Sequence, residues 1–318
     1  VTKTPLKPHS PIDVEPVPKD RYPQALELFF HDNLPTVRKN LVEHWLAADA
    51  SGDVPLDGLL WASVHGRPVG AAFFSRHRGS MAFVWQPIVD QSRLLIPSDP
   101  SVGEIKISLL HAIGDRLSGE EIHIGQMLTP PNETERELYR TGGFPWVTDL
   151  HYLLHTLETT TENQPPDWER ISYEPGNTGQ TQLFASVLER TWEQTQDCPE
   201  LNGLRTGLQA LDGHREGVQD DELAWSLFTH RERPIGLCLV NPREGNLSEI
   251  VYVGVVPEAR GNGYGRAMVS DALRTAREQQ HRGVVLAVDS RNEVARRIYR
   301  DLGFSEVDRL SVYLRLLH

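Results

Sequence analysis

Between residues 178 and 193 apolar positions recur every three or four residues, so Leu183, Phe184, Val187, Leu188 and Trp192 share one face of a predicted helix. A second, shorter helix is predicted over 202–213. Beyond it the runs shorten: 223–229 and 235–240 flank the polar stretch His230–Pro234 and predict a hairpin, and 250–256 predicts the next strand. A helix opens after Gly265. Residues 284–289 then read as a strand, 292–302 as a helix closed by Gly303-Phe304, and a last strand runs through Leu317. Strands interleaved with helices predict an α/β (α+β) fold, a mixed sheet flanked by helices.

The junction after the 250–256 strand reads Pro257-Glu258-Ala259-Arg260-Gly261-Asn262-Gly263-Tyr264-Gly265-Arg266. Glycines at 261, 263 and 265 let successive backbone N–H groups converge on one hollow, and the helix that follows adds the positive end of its dipole. Such a hollow takes a phosphate or pyrophosphate, with Arg260 and Arg266 adding formal charge. The dinucleotide fingerprint does not fit, because Arg266 stands where its third glycine belongs, and the Lys-Ser/Thr pair of a P-loop is missing.

Downstream, Asp289-Ser290-Arg291-Asn292-Glu293-Val294-Ala295 leads to Tyr299 and Gly303-Phe304. The glycine turn and this string, in that order, resemble the two hallmark segments of the GCN5-related N-acetyltransferase (GNAT) superfamily. The resemblance implies acetyl-CoA as cosubstrate, held by Arg260, Gly261, Asn262, Gly263, Tyr264, Gly265 and Arg266. Exposed backbone of Val253 and Val255 would assist, with Gly254 marking a bulge that frees it. Asn292 would touch the pantetheine arm or cap its helix. Glu249 matches the catalytic glutamate of histone-type and mycothiol-synthase-type members, and Tyr299 the tyrosine near the CoA sulfur, which implies a general base and a general acid. The plainer readings are a solvated strand-edge glutamate and a core aromatic. The acceptor wall would run from Thr195 to Glu216, where Asp197, Glu200, Asp212 and Glu216 suit a cationic amine and His214 is a candidate titrating group near neutral pH.

The two halves of the chain repeat each other at an offset of 160 residues. Asn132, Glu133, Arg136, Tyr139, Arg140, Gly143, Phe144, Val147, Leu150 and Leu154 recur as the same residues in 292–314. The expected architecture is therefore two tandem GNAT folds: a flexible Pro-rich tail over 1–20, a degenerate domain over 21–157, a linker over 158–168 and a catalytic domain over 169–318. The first copy has lost its cradle chemistry, since Pro100, Ser101, Ile105 and Lys106 stand opposite Arg260, Gly261, Gly265 and Arg266. This tandem layout resembles that of mycothiol-synthase-type members, whose acceptor is a cysteinyl pseudodisaccharide amine.

Composition narrows the partners. With 32 Lys and Arg against 44 Asp and Glu, the net charge of −12 disfavours nucleic acid. No apolar run approaches the ~20 residues of a membrane span, and no signal peptide is visible, so a cytoplasmic location is expected. Cys198 and Cys238 have no metal-ligand neighbours at finger spacing, so no metal is expected. The expected partner is a small-molecule or peptide amine, and the expected assembly a monomer or weak dimer. The alternative from another class is a CoA-binding sensor or interaction scaffold without turnover.

Overall fold

A computed structural model describes residues 12–158 and 167–317. The chain divides into two compact units. Of the described residues, unit 1 takes 12–76, 81–146 and 313–317, and unit 2 takes 77–80, 147–158 and 167–312.

Unit 1 contains β1 (Ile12–Pro16), α1 (Tyr22–Phe29), α2 (Pro35–Ser51), β2 (Leu59–Val64), β3 (Arg67–His77), β4 (Met81–Val84), β5 (Ile88–Val89), α3 (Val102–Leu117), β6 (Ile124–Thr129) and α4 (Glu133–Thr141). Strands β1, β2 and β3 pair antiparallel, and β4 runs parallel to β6. β1 corrects the expectation of a tail through residue 20. Ile12 and Val14 alternate with acidic residues and pair with Val64 and Ala62, while Pro16, which has no N–H to donate, ends an edge strand where none is needed. Residues 1–11 of that tail lie outside the described residues.

Unit 2 contains β7 (Trp146–His155), β8 (Glu169–Ser172), α5 (Thr178–Trp192), α6 (Gly207–His214), β9 (Ser226–His230), β10 (Arg233–Arg243), β11 (Leu247–Val255), α7 (Tyr264–Glu278), β12 (Gly283–Asp289), α8 (Glu293–Leu302) and β13 (Ser305–Leu316). The predicted hairpin is β9–β10. Its turn residues Arg231 and Glu232 have φ of 50° and 62°, the left-handed backbone that a tight hairpin turn demands, although neither is glycine. On α5, Phe184, Val187 and Leu188 are buried as the spacing predicts, whereas Leu183 turns outward. α6 starts later than predicted because Thr206 and Gln209 form a capping box that fixes its first turn. The strands run in the order β8, β9, β10, β11, β12, β7, with the β11–β12 pair parallel.

The units do not follow the expected division at 158–168, of which 159–166 lie outside the described residues. β7 pairs antiparallel with β12, Leu153 opposite Leu286, and so belongs to unit 2. The end of β13 belongs to unit 1, where Leu314 N–H donates to Pro145 O at 3.2 Å, Leu317 N–H to His123 O at 2.9 Å, and Tyr313 packs edge-on against Tyr139. Each half of the sequence thus lends strand to the other unit. The repeat hides this, because β7 and β13 both follow the same Gly-Phe turn and nothing local says which sheet either one joins.

Candidate active site

β11 and β12 pair only from Leu247↔Gly283 to Ile250↔Leu286. Past that point they part, and a cleft of about 590 Å³ opens in the fork. One wall is Val251 to Val255, which stays paired to β10 on its other edge but, among the described residues, has no strand partner toward the cleft, so backbone groups there face the cleft. A bulge at Val251 shifts the β10–β11 register where the strands begin to part, since Leu239 faces Tyr252 and Val240 faces Ile250. This corrects the expectation of a bulge at Gly254. That glycine is there for space: a Cβ on it would lie 2.7 Å from Thr191 Oγ1.

The floor of the fork is the N-terminus of α7. Gly261 and Gly263 both hold φ of +79°, and Gly263 is the N-cap with no side chain to cap the helix. The first amides of α7 therefore face the cleft without an internal acceptor, as an anion site requires. Gly261, Gly263, Gly265, Tyr264 and Arg266 all line the cleft. Tyr264 is anchored through its hydroxyl to His230 Nδ1 at 3.0 Å. Arg266 lies 3.8 Å from Asp301. Arg260 is committed differently from expectation: its guanidinium donates to Val255 O at 3.1 Å and Thr191 O at 3.0 Å, tying the loop to β11 and α5. Asn262 donates to Ala259 O and Arg260 O, bracing the same turn.

The opposite wall is α8. Asn292 caps it, accepting from Ala295 N–H at 3.2 Å, and also lines the cleft. Tyr299 is buried yet faces the cleft; burial first, then the charge of Asp197, pushes its phenol up, so it stays protonated at neutral pH. Glu249 sits on β11 one residue before the last position paired to β12, ion-pairs with Arg243 at 2.8 Å and is not among the residues that line the cleft.

The segment before α6 closes the cleft, and a clamp that sequence reasoning missed holds it. Asp289, fully buried at the end of β12, accepts from Thr148 Oγ1 at 2.6 Å, Cys198 N–H at 3.0 Å and Arg291, whose guanidinium also grips Glu200 at 2.6 Å. Burial alone would raise the Asp289 carboxyl; the bonds from Arg291, Thr148 and Cys198 outweigh it and hold it down at about 2. Cys198 sits in left-handed backbone, its thiol pushed up by burial and the neighbouring carboxylates. The ligand-type atoms of Asp197, Cys198 and Asp289 lie within 4.8 Å of one another, but Asp289 is already saturated with protein donors. His214 differs from expectation: burial, then the charge of Arg205, drives it down to about 3, so it is neutral near pH 7.

Removing the Asp289 carboxylate leaves the Cys198 N–H without its acceptor, takes the closest partner from Thr148 Oγ1, and leaves the Arg291 guanidinium only Glu200 among the described residues. Asp289→Ala is expected to lower unfolding stability by about 2–3 kcal/mol in urea melts. In the wild type the depressed carboxyl stabilises fully above about pH 4 and loses that contribution as pH falls through about 2. A melt whose midpoint does not change with the substitution at neutral pH would show the clamp to be ornamental.

Unit 1 fills the corresponding places with its own side chains. The N-terminus of α3 is closed by a capping box: Ser101 accepts from Glu104 N–H, and Glu104 accepts from Ser101 N–H at 2.8 Å. Opposite Ala295 stands Glu135, which accepts from Lys106 at 2.7 Å, Tyr139 at 2.8 Å and Gln86 at 2.9 Å. Tyr139, the twin of Tyr299, is thereby tied into an internal network.

Residues 188–304 match the model of the acetyltransferase (GNAT) family. The chain is 42% identical over 268 residues to the mycothiol acetyltransferase of Nocardiopsis dassonvillei, covering 76% of this chain and 77% of that one. It is 39% identical over 152 residues to that of Saccharomonospora viridis, covering 45% and 48%. A shorter match, with the mycothiol acetyltransferase of Paenarthrobacter aurescens, is 39% identical and spans 22% of either chain. Among solved structures, a GCN5-related N-acetyltransferase from Sphaerobacter thermophilus aligns with a TM-score of 0.58 at 17% identity, over 98% of this chain and 97% of that one. One from Anabaena variabilis gives 0.52 at 12% identity, over 96% and 73%. These two likenesses concern the fold. The chain belongs to the GNAT family of acetyltransferases. Within that family, the relatives it matches in sequence are mycothiol acetyltransferases. Among the described residues, no helix is long and apolar enough to cross a membrane.

Proposed function

We propose that this protein transfers an acetyl group from acetyl-CoA to a primary amine, that unit 2 carries the reaction, and that unit 1 is structural. The observation that carries the reading is the forked cleft over an uncapped α7 N-terminus, lined by Asn292 and Tyr299. Acetyl-CoA supplies an activated thioester: one C–N bond forms as one C–S bond breaks, the nitrogen loses a proton and the sulfur gains one. The α7 amides and Arg266 receive the pyrophosphate. Free backbone N–H groups on β11 polarise the thioester carbonyl and stabilise the charge that develops on its oxygen. Glu249 takes the proton from the nitrogen, and Tyr299 gives one to the sulfur. The likeness to mycothiol acetyltransferases directs the acceptor reading to a cysteinyl-sugar amine.

Calorimetry with acetyl-CoA is expected to give one site per chain, because in unit 1 the equivalent helix start is capped by Ser101 and Glu104 and the equivalent groove holds Glu135 and Lys106. Acetylated product from a cysteinyl-sugar amine, followed by mass spectrometry, completes the test. Two sites would sink the assignment to unit 2 alone; binding without turnover of any amine would make the protein a CoA sensor.

A further inference from the structure

Four acidic residues stand along the predicted acceptor wall, and three have a basic partner, two of them an arginine and one a histidine. Glu200 pairs with Arg291 at 2.6 Å, Asp212 with Arg78 at 3.4 Å and Glu216 with His77 at 2.8 Å. Asp197 has no ion pair among the described residues, and it is the sole acid lining the cleft. The charged and titratable groups around it are Asp289, Arg291, Cys198, Tyr252 and Tyr299. Arg291 is the nearby cation, and its guanidinium is already divided between Asp289 and Glu200. Burial among the walls of the cleft, then the charge of Asp289, pushes the Asp197 carboxyl up, against a hydrogen bond from Asp289 N–H to Asp197 Oδ1 at 3.4 Å and the charge of Arg291. The carboxylate thus holds one backbone donor and, among the described residues, no counter-cation. The backbone on either side is fixed: Asp197 N–H donates to Thr195 Oγ1 at 3.1 Å, and the next residue's N–H is held by Asp289 at 3.0 Å. The carboxylate is thus presented beside Tyr299, where the bond exchange of the proposed reaction takes place.

We infer that Asp197 is the specificity-determining residue that docks the acceptor as a cation, its carboxylate receiving the acceptor's ammonium at the mouth of the fork before the proton is removed. This rests on the acetyl-transfer reading above and adds the class of acceptor: an amine protonated at neutral pH, in preference to an aromatic or otherwise uncharged one. Neither Glu249 nor Tyr299 supplies this selection. Glu249 is occupied by Arg243, and Tyr299 is neutral.

The test uses the full chain with L-cysteine amide-linked to glucosamine as the probe amine, and its analogue in which a hydroxyl replaces the amino group as a competitive inhibitor. At about pH 6 the probe is protonated. The wild type is expected to bind the amine at least about tenfold more tightly than the hydroxyl analogue, since a charge-assisted hydrogen bond in a walled site is worth about that much. Asp197→Asn should erase the difference and raise KM for the amine at least tenfold. Acetyl-CoA affinity should hold, and Asp197→Glu should restore part of the preference. Two results overturn the inference while leaving acetyl transfer standing: an Asn variant that keeps both the preference and the KM, or a wild type that acetylates only an amine uncharged at that pH. A wild type that binds no acetyl-CoA brings down the acetyl-transfer reading itself, and this inference with it.

Discussion

Gly263→Val is expected to abolish measurable acetyl-CoA binding while leaving the protein folded. Gly263 has φ of +79° and open space around its Cα, so the substitution meets no steric wall. The fault is in the backbone. A β-branched residue resists the left-handed region, and the turn must re-form with negative φ to accept it. The first amides of α7 then no longer point where Gly261, Gly263 and Gly265 together aim them. The pyrophosphate loses the amides that hold it, and with them at least two orders of magnitude in Kd. Calorimetry on the variant, beside its circular dichroism and urea melt, separates lost binding from lost fold. Tight binding in a folded variant would move the cosubstrate away from α7.

Tyr299→Phe and Glu249→Gln are expected to lower kcat by roughly 100- to 10,000-fold each, the range that a positioned acid or base contributes, with acetyl-CoA affinity nearly unchanged. The phenylalanine keeps the ring that packs 5.7 Å from Phe304, so it removes a proton donor and little else. The glutamine keeps the shape of Glu249 and removes its basicity. Retained turnover in the Phe variant would return Tyr299 to the role its twin Tyr139 has, an aromatic packed against the core. Retained turnover in the Gln variant would reduce Glu249 to the ion-pair partner of Arg243. Because the two groups act on different atoms of one reaction, single-turnover rates for each variant should assign the losses to chemistry rather than to product release.

The parts of this site that were legible in sequence are those built from neighbours along the chain. The glycine turn is one: left-handed backbone at 261 and 263 is written in the residues that adopt it, and the helix after it in the period of its apolar positions. Tyr299 and Asn292 could be placed because a helix fixes their spacing. Where geometry depends on distant residues, the sequence was silent. Asp289 lay within the string that marks the family, yet its grip on Cys198 and Thr148 joins positions 91 and 141 residues apart. Of four acids along the acceptor wall, only the folded partners show which one has no cation. His214 read as a neutral-pH titrating group because its burial beside Arg205 has no local signature. The broken cradle of the first copy was legible as missing glycines, but not that Ser101, Glu104 and Glu135 had moved into the vacated space.

The reciprocal lending of strands has a consequence for how the chain is made. Synthesis runs from the N-terminus, so unit 1 has its helices α1 to α4 and most of its sheet in hand when less than half of the chain exists. Its last strand arrives with residues 313–316, after all of unit 2. Until then the edge of β6 has no partner, and β7, which follows the same Gly-Phe turn as β13, is at hand to take the vacant place. Domain-by-domain folding during synthesis, the usual order for a tandem protein, cannot by itself complete unit 1, because its last strand is made only after unit 2. A gene cut between the two copies would yield two fragments, each carrying a strand that belongs to the other.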